Sequence, residues 1–451
     1  MSAELSGSAH QAVDAALVAG AGDAEAYASR DSGREVRVHG GEVESLTAAT
    51  QSGIGVRAWI GRRVGYAYGT DFSPAGVEAI ATRAAAAAAV ADEDEFAAPP
   101  APAEFESIAG LSDSGLARTT ADQVAELALA VERTALAADP RIAGVEQAVY
   151  ADSAERVAIA SSAGVAGEYE TSSCFAYLQA LAEGDGARET GLGFGLGRGP
   201  DDLDPEAIGA EGAERALSMI GASKPASRAC PVVLDPTVAA SFAGLIGGAL
   251  GANAVQRGRS PFAGRLGEAL AGEALVLHDD GRDPGGTASA PFDGEGVPRR
   301  RTPLIEAGRL QAFLYDTYTA NREGRAATGS AARAGYRSLP SVAPSNLVVA
   351  PGELSLSGLL AEARDGVYVT DVAGLHSGVN PVTGVFSVGA SGRAIRDGDL
   401  AEPLREFTIA GDLVSMLAAV TASGSESRWV PFGGSVSTPP LLIAEMAISG
   451  S

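Results

Sequence analysis

The sequence is short of the side chains that most often do chemistry. It has 451 residues, yet only 2 Cys and 4 His, and Lys224 is its one lysine. Two cysteines exclude a disulfide framework and a four-thiolate zinc site. The histidines, at positions 10, 39, 278 and 376, are too far apart for any two to share a helix face, so no local zinc motif exists. Basic charge is also scarce. With 33 Lys+Arg against 57 Asp+Glu the formal net charge is -24, which argues against wholesale nucleic-acid binding and against docking on anionic membrane surfaces. No apolar run approaches the roughly 18 residues that would suggest a membrane span. Met1 to Gly22 lack a basic region followed by an apolar core, so no secretory leader is expected and the expected location is cytoplasmic. Hydrophobic residues at 46% and charged residues at 20% are ordinary for a folded chain. The length predicts two or more domains. The bias to Arg over Lys, with 58 Gly and abundant Ala, suggests a GC-rich bacterial genome.

The pattern along the chain predicts an α+β protein. Helical spacing covers Ala9 to Gly20, and short strands are expected at Glu25 to Arg30 and Glu35 to His39. Ser52 to Tyr68 reads as a hairpin around Ile60-Gly61. An Ala-rich helix, Ala75 to Val90, follows, capped by Ser73 with Pro74 in its first turn. Ala91 to Ser107 is acidic and Pro-rich and reads as a linker or a strapped loop. A helix over Thr120 to Ala138, antiparallel strands over Arg141 to Arg198 and a helix over Asp204 to Ile220 complete the first half. Beyond it come a strand at Arg228 to Leu234, a small-residue helix from Pro236 to Gly251, and mainly short strands with Gly/Pro turns. The expected division is an N-terminal α+β domain, 1–221, with 91–107 as its acidic linker, and a β-rich C-terminal domain, 228–451.

Independent active-site motifs fail one after another. The run GLGFGLGRG places glycine at 191, 193, 195, 197 and 199, but no helix follows at once as a phosphate loop requires. Alternation on a strand puts all five glycines on one bare face, which favours close packing over peptide binding. His278 precedes Asp279, Asp280 and Asp283, yet DDGRDPGG is also turn-forming sequence. Cys174 and Cys230 sit in apolar strands and read as small buried hydrophobes. Ser391 lacks the spacing of a nucleophile elbow, and Lys224 lacks a serine three positions before it.

A longer set of segments carries more information. In order these are VVLDP (Val232 to Pro236), SPFAGRLGE (Ser260 to Glu268), the stretch Ser289 to Gly324 containing FDGEGV, GLHSGVNPVTGVFSVGASG (Gly374 to Gly392), FTIAGDL (Phe407 to Leu413) and LLIAEMAISG near the end. With EVESLTAATQSGIGVRAW in the first half, they resemble the TldD/PmbA family of bacterial peptide-processing proteins over nearly the whole chain. The resemblance implies a fold of the TldD/PmbA type, with a mixed α/β N-terminal half and a β-rich C-terminal half. It also implies a heterodimer. The TldD-type subunit carries His-Glu-x-x-x-His on the helix after the VVLDP-like strand, plus a Cys near the C-terminus. Zinc held there would polarise the scissile carbonyl and activate water, with the Glu as general base. Here Ala243, Gly244 and Gly248 fall on those three helix positions, and no Cys follows Cys230.

The resemblance therefore points to the metal-free TldE (PmbA)-type subunit of a zinc metallopeptidase. No catalytic residue and no cofactor are expected on this chain; zinc would reside on a TldD-type partner. The substrates would be unfolded or short peptides, natural-product precursors among them, bound through main-chain hydrogen bonds at a strand edge. Ser377, Asn380 and Thr383, in the HSGVNPVTG loop, are candidate substrate contacts and equally good turn formers. Two other readings stay open. One is a homodimeric binding or scaffold member in a biosynthetic pathway. The other is an enzyme with a remodelled non-zinc centre around His278, His376 and Asp283.

Overall fold

Long strands and locally capped helices build the first half. The computed structural model describes residues 2–451. Helix α1 (Ser2–Val18) leads into strands β1 (Asp23–His39), β2 (Glu42–Ile60) and β3 (Arg63–Gly69), then helices α2 (Pro74–Val90) and α3 (Ala121–Ala138). Strands β4 (Ile142–Ser161), β5 (Ala166–Gly184) and β6 (Ala187–Gly197) and helix α4 (Pro205–Ser218) follow. The helix starts are encoded locally. Ser73 accepts from the Gly76 N–H with Pro74 in the first turn of α2, and Thr120 with Gln123 forms a capping box on α3.

The six strands make one antiparallel sheet in the order β3-β2-β1-β4-β5-β6. Alternate residues of β1 take opposite faces. Ala24, Ala26 and Ala28 pack under α1 and α2, whereas Tyr27 points the other way and packs with Phe292 and Tyr336 of the second half. The bare glycine face of β6 is filled by α4. A Cβ on Gly191 would lie 2.3 Å from the Gly212 carbonyl oxygen, and one on Gly193 only 2.1 Å from that of Ile208. The glycine run is thus a helix-packing surface, as its period suggests.

Two expectations for this half need correction. β1 is one continuous 17-residue strand, not two short ones. Its polar middle, Arg30 to Arg34, reads as a break but pairs on both sides with β2 and β4, and Arg34 is neutralised by Asp152 across the sheet, with N–O distances down to 2.6 Å. β2 begins ten residues before Ser52, because a polar segment with little apolar alternation still forms a ladder with β1. The segment 91–107 has no helix or strand and straps the surface. Phe105 packs on Phe292 at 4.6 Å between ring centroids, and the Phe96 carbonyl accepts from Asn321.

The second half starts with β7 (Arg228–Leu234) and α5 (Pro236–Ala249). β7 is central in a sheet ordered Asp399–Asp412, Val385–Arg396, Gly366–Ala373, β7, Leu441–Ser449, Val420–Ser423. Asp399–Asp412 also pairs with Leu441–Ser449, which closes these strands into a barrel. A second six-stranded sheet runs from Arg309–Leu310 through Arg301–Glu306, Leu277–Asp280, Asn346–Val349 and Ser435–Thr438 to Arg428–Val430. α5 belongs to the apolar core between them, through Phe242, Ile246 and Leu250. The architecture is α+β with a β-rich C-terminal half. Among the described residues no helix is long and apolar enough to cross a membrane.

Candidate functional site

The two halves meet at a cleft of about 650 Å³ whose walls come from β6, α4, the first turns of α5 and the strands Gly366–Ala373 and Val385–Arg396. Asp235, the aspartate of VVLDP, organises it. As N-cap of α5 it accepts from the Thr237 N–H at 2.9 Å. It also accepts from the Tyr368 hydroxyl at 2.7 Å and from Arg215 of α4 at 3.3 Å. One carboxylate therefore ties together a helix start, a second helix and a neighbouring strand. Burial raises the Tyr368 pKa, and the charge of Asp235 adds to it. Burial works against the Arg215 charge, but Asp235 and Glu211 outweigh it and leave its pKa above the ordinary value. Glu211 in turn pairs with Arg428, from the far end of the chain, whose guanidinium carbon lies 3.7 Å from the Phe194 ring centroid.

Thr237 and Ser241 of α5 line this cleft, and Gly244 and Gly248 continue the same helical stripe. These glycines, with Ala243, hold the positions that the resemblance assigns to a zinc motif. Ala243 is 5% exposed and faces an apolar void with Leu234, Phe242, Leu277 and Met416. At Gly244 a Cβ would stand 2.6 Å from the Gly433 carbonyl oxygen, so the loop carrying Phe432 and Gly433 occupies the space of a side chain. Gly248 is exposed, with nothing within 4 Å of a Cβ. A zinc ion does not fit this helix: the three positions supply no donor atom, and one is closed by backbone. Among the described residues no three His, Cys, Asp or Glu side chains are grouped so as to hold a metal.

The remodelled centre around His278 is not assembled either. His278 is 8% exposed and its Nδ1 lies 3.3 Å from Arg301; burial first, and then Arg301, lowers its pKa. His376 is exposed on the short helix Leu375–Gly378. Of the carboxylates of DDGRDPGG two serve turns, Asp280 accepting from the Arg282 N–H and Asp283 from the Gly285 N–H, each at 2.9 Å, and the buried Asp279 accepts from the Ser345 N–H and hydroxyl. Cys174 and Cys230 are free and buried.

The FDGEGV segment builds an inter-half ion network. Arg57 of β2, 8% exposed, donates to Glu25 of β1 at 2.5 Å and to Glu295 at 2.9 Å. Glu25 also pairs with the buried Arg333, and Glu295 accepts from the Thr317 N–H at 2.8 Å. Burial would raise the Glu295 pKa, but Arg57 and that N–H leave it below the ordinary value. Asp293 shapes the turn by accepting from the Glu295, Val297 and Ala331 N–H groups; burial and the neighbouring Glu295 push its pKa up.

Ser377, Asn380 and Thr383 are all exposed and none lines the cleft. Their polar atoms are used locally. Ser377 donates to the Gly374 carbonyl, Asn380 accepts from the Val382 and Thr383 N–H groups, and Thr383 accepts from the Val385 N–H. The turn leads into Phe386, which packs 5.1 Å from Phe242 of α5. Sequence reasoning passed over Asp235, Arg215, Glu211 and Arg428. Asp235 had a local signal, a capping aspartate before proline, and Glu211 with Arg215 the i,i+4 spacing of a helix pair; the Arg215–Asp235 and Arg428–Glu211 pairings span 20 and 217 residues.

Known proteins resemble this chain along most of its length. Residues 24–88, 115–220 and 227–450 match, in turn, domain 1, the central domain and the C-terminal domain of the PmbA/TldA metallopeptidases. The metalloprotease PmbA of Escherichia coli O157:H7 is 29% identical, over 96% of this chain and 94% of its own. A TldD homologue from Haemophilus influenzae is 27% identical over 88% of this chain and 87% of its own. Among solved structures, a candidate modulator of DNA gyrase from Thermotoga maritima superposes with TM-score 0.90 at 25% identity, covering 98% of this chain and 99% of that one. TldE from Thermococcus kodakarensis shares the fold, with TM-score 0.90 at 23% identity over 98% of this chain and 100% of that one. Matched along nearly its whole length, the chain belongs to the TldD/PmbA family and has the fold of its TldE branch.

Proposed function

We propose that this chain is the noncatalytic, metal-free subunit of a heterodimeric zinc metallopeptidase that acts on unfolded or short peptides in the cytoplasm. The observation that carries the reading is the α5 stripe. Where a zinc subunit needs two imidazoles and a carboxylate, this chain has Ala243, Gly244 and Gly248, with the Gly433 carbonyl set against the middle one. In this reading the chain lends its fold to a TldD-type partner, which holds the zinc and supplies the water-activating base, and the two together enclose the peptide. The HSGVNPVTG loop is proposed to border the enclosed space, with Ser377, Asn380 and Thr383 on the substrate side.

Co-expression with a zinc-type paralogue encoded in the same genome tests the reading. A stable complex should form, and peptide cleavage should require both chains; cleavage by this chain alone would overturn it. Asn380→Ala separates the two roles of the loop. A heterodimer that assembles normally but cleaves at least about tenfold more slowly supports substrate contact, whereas loss of assembly or of folding assigns Asn380 to the turn alone.

A further inference from the structure

β6 is the last strand of the first sheet and pairs with β5 on one side only. At Phe194 both main-chain groups turn away from β5: the N–H donates to the Glu211 carboxylate at 3.4 Å, and the C=O accepts from Arg428. The register with β5 runs unbroken from Ala187 to Gly197, and on an antiparallel edge outward groups recur at every second residue. Thr190 and Leu192 therefore turn their N–H and C=O groups outward as well. Among the described residues no loop or side chain satisfies these four groups. Sheet edges are normally paired, covered or blunted. This one is covered at Phe194 and open at Thr190 and Leu192, where Glu189 to Leu192 line the cleft of about 650 Å³ between the halves. A space of that size lies in the range of about 300–1,000 Å³ found for small-ligand sites. It admits a single extended strand and excludes the sheet of a folded domain.

The charge of the cleft adds a second, independent observation. Of the five carboxylates that line it, Glu189 pairs with Arg405, and Glu211 and Asp235 pair with Arg215. Glu214 of α4 and Asp371 of the strand Gly366–Ala373 form no ion pair. The other lining guanidinium, Arg393, is spent on the Ala401 carbonyl. Resting on the reading of this chain as a peptide-handling subunit, we infer that the β6 edge at Thr190 and Leu192 takes up a short extended peptide, with a basic side chain of that peptide held by Glu214 and Asp371. Main-chain hydrogen bonds to the edge accept any sequence, and the pockets beside such an edge choose among side chains. Here the two carboxylates without a cation favour arginine or lysine and disfavour an acidic residue.

The test measures fluorescence anisotropy of labelled seven-residue Ala/Thr peptides, with arginine, glutamine or glutamate at the centre, on the full chain alone. The arginine peptide should bind about tenfold or more tighter than the glutamate peptide, a difference of about 1.4 kcal/mol, with glutamine between them. Thr190→Pro removes one outward N–H and no bond to β5, a position where an edge strand accepts proline. Its thermal unfolding should match the parent, while its affinity for all three peptides falls about tenfold. Glu214→Gln/Asp371→Asn should abolish the preference for arginine and keep the binding of the glutamine peptide. Hydrogen exchange on the parent gives a reading that does not depend on either variant folding: the Thr190 and Leu192 amides should gain protection with the arginine peptide bound. A parent that binds none of the peptides, a folded Thr190→Pro that binds as tightly as the parent, or amides left unprotected overturns the strand site. A preference for arginine that survives the double variant overturns the role of the two carboxylates. Because the chain is measured alone, a missing partner or missing cleavage counts against the functional reading and not against this site.

Discussion

Arg57→Met removes the cation at the centre of the network that links the halves. The side chain is 9% exposed, its partners Glu25 and Glu295 are 1% and 3% exposed, and its two ion pairs measure 2.5 and 2.9 Å. Glu25 keeps Arg333, so the damage falls on Glu295, left with only the Thr317 N–H. Breaking a buried pair from one side costs about 3–5 kcal/mol because the remaining charge is uncompensated; the surviving Arg333 pair places this case near the lower end. The loss should depend on pH with a definite sign. Glu295 has a pKa below its ordinary value of 4.5, so its ion-pair contribution is fully present above about 4.5 and fades as pH falls through the folded-state value. Urea unfolding read by Trp59 in the first half and Trp429 in the second measures it. Glu295→Gln in the Arg57→Met background should restore part of the stability by removing the stranded charge. A cost below about 1 kcal/mol at pH 7, or no recovery in the double variant, would refute the claim that this network joins the halves.

Gly193→Ala places a methyl 2.1 Å from the Ile208 carbonyl oxygen and should destabilise by about 2–3 kcal/mol. Gly248→Ala meets nothing within 4 Å and should be neutral or stabilising by up to about 1 kcal/mol; chemical denaturation of the pair checks both. Burial, with Asp31 as the secondary cause, raises the Glu155 pKa to about 7. Its protonated form is therefore favoured on folding, and that contribution, full below about 4.5, is lost as pH rises through 7. Glu155→Gln should accordingly match the parent near pH 4 and exceed it in melting temperature at pH 8, and the reverse order would contradict the assignment.

Much of the fold was legible because its signals are local. Ser73 before Pro74 and Thr120 with Gln123 announce their helices, and the alternating glycines of β6 announce a bare face. The first ten residues of β2 were not legible as strand, since exposed polar residues on an edge carry no burial pattern. The middle of β1 was hidden because Arg34 finds its counter-charge 118 residues away. At the site, the missing zinc donors could be read directly from α5 by resemblance. The backbone that closes one of those positions could not, because Gly433 reaches Gly244 only through the closed fold. Asp235 caps α5 and was passed over, and its grip on Arg215 and Tyr368 is a tertiary fact that no local pattern carries.

The most direct test of the central claim is metal stoichiometry. The purified heterodimer is separated into its chains under mild conditions, and zinc is counted in each alongside a peptide-cleavage assay. The account predicts zinc with the TldD-type partner, none with this chain at any stage of purification, and activity only on recombination. One zinc per copy of this chain, with cleavage in the partner's absence, would contradict it.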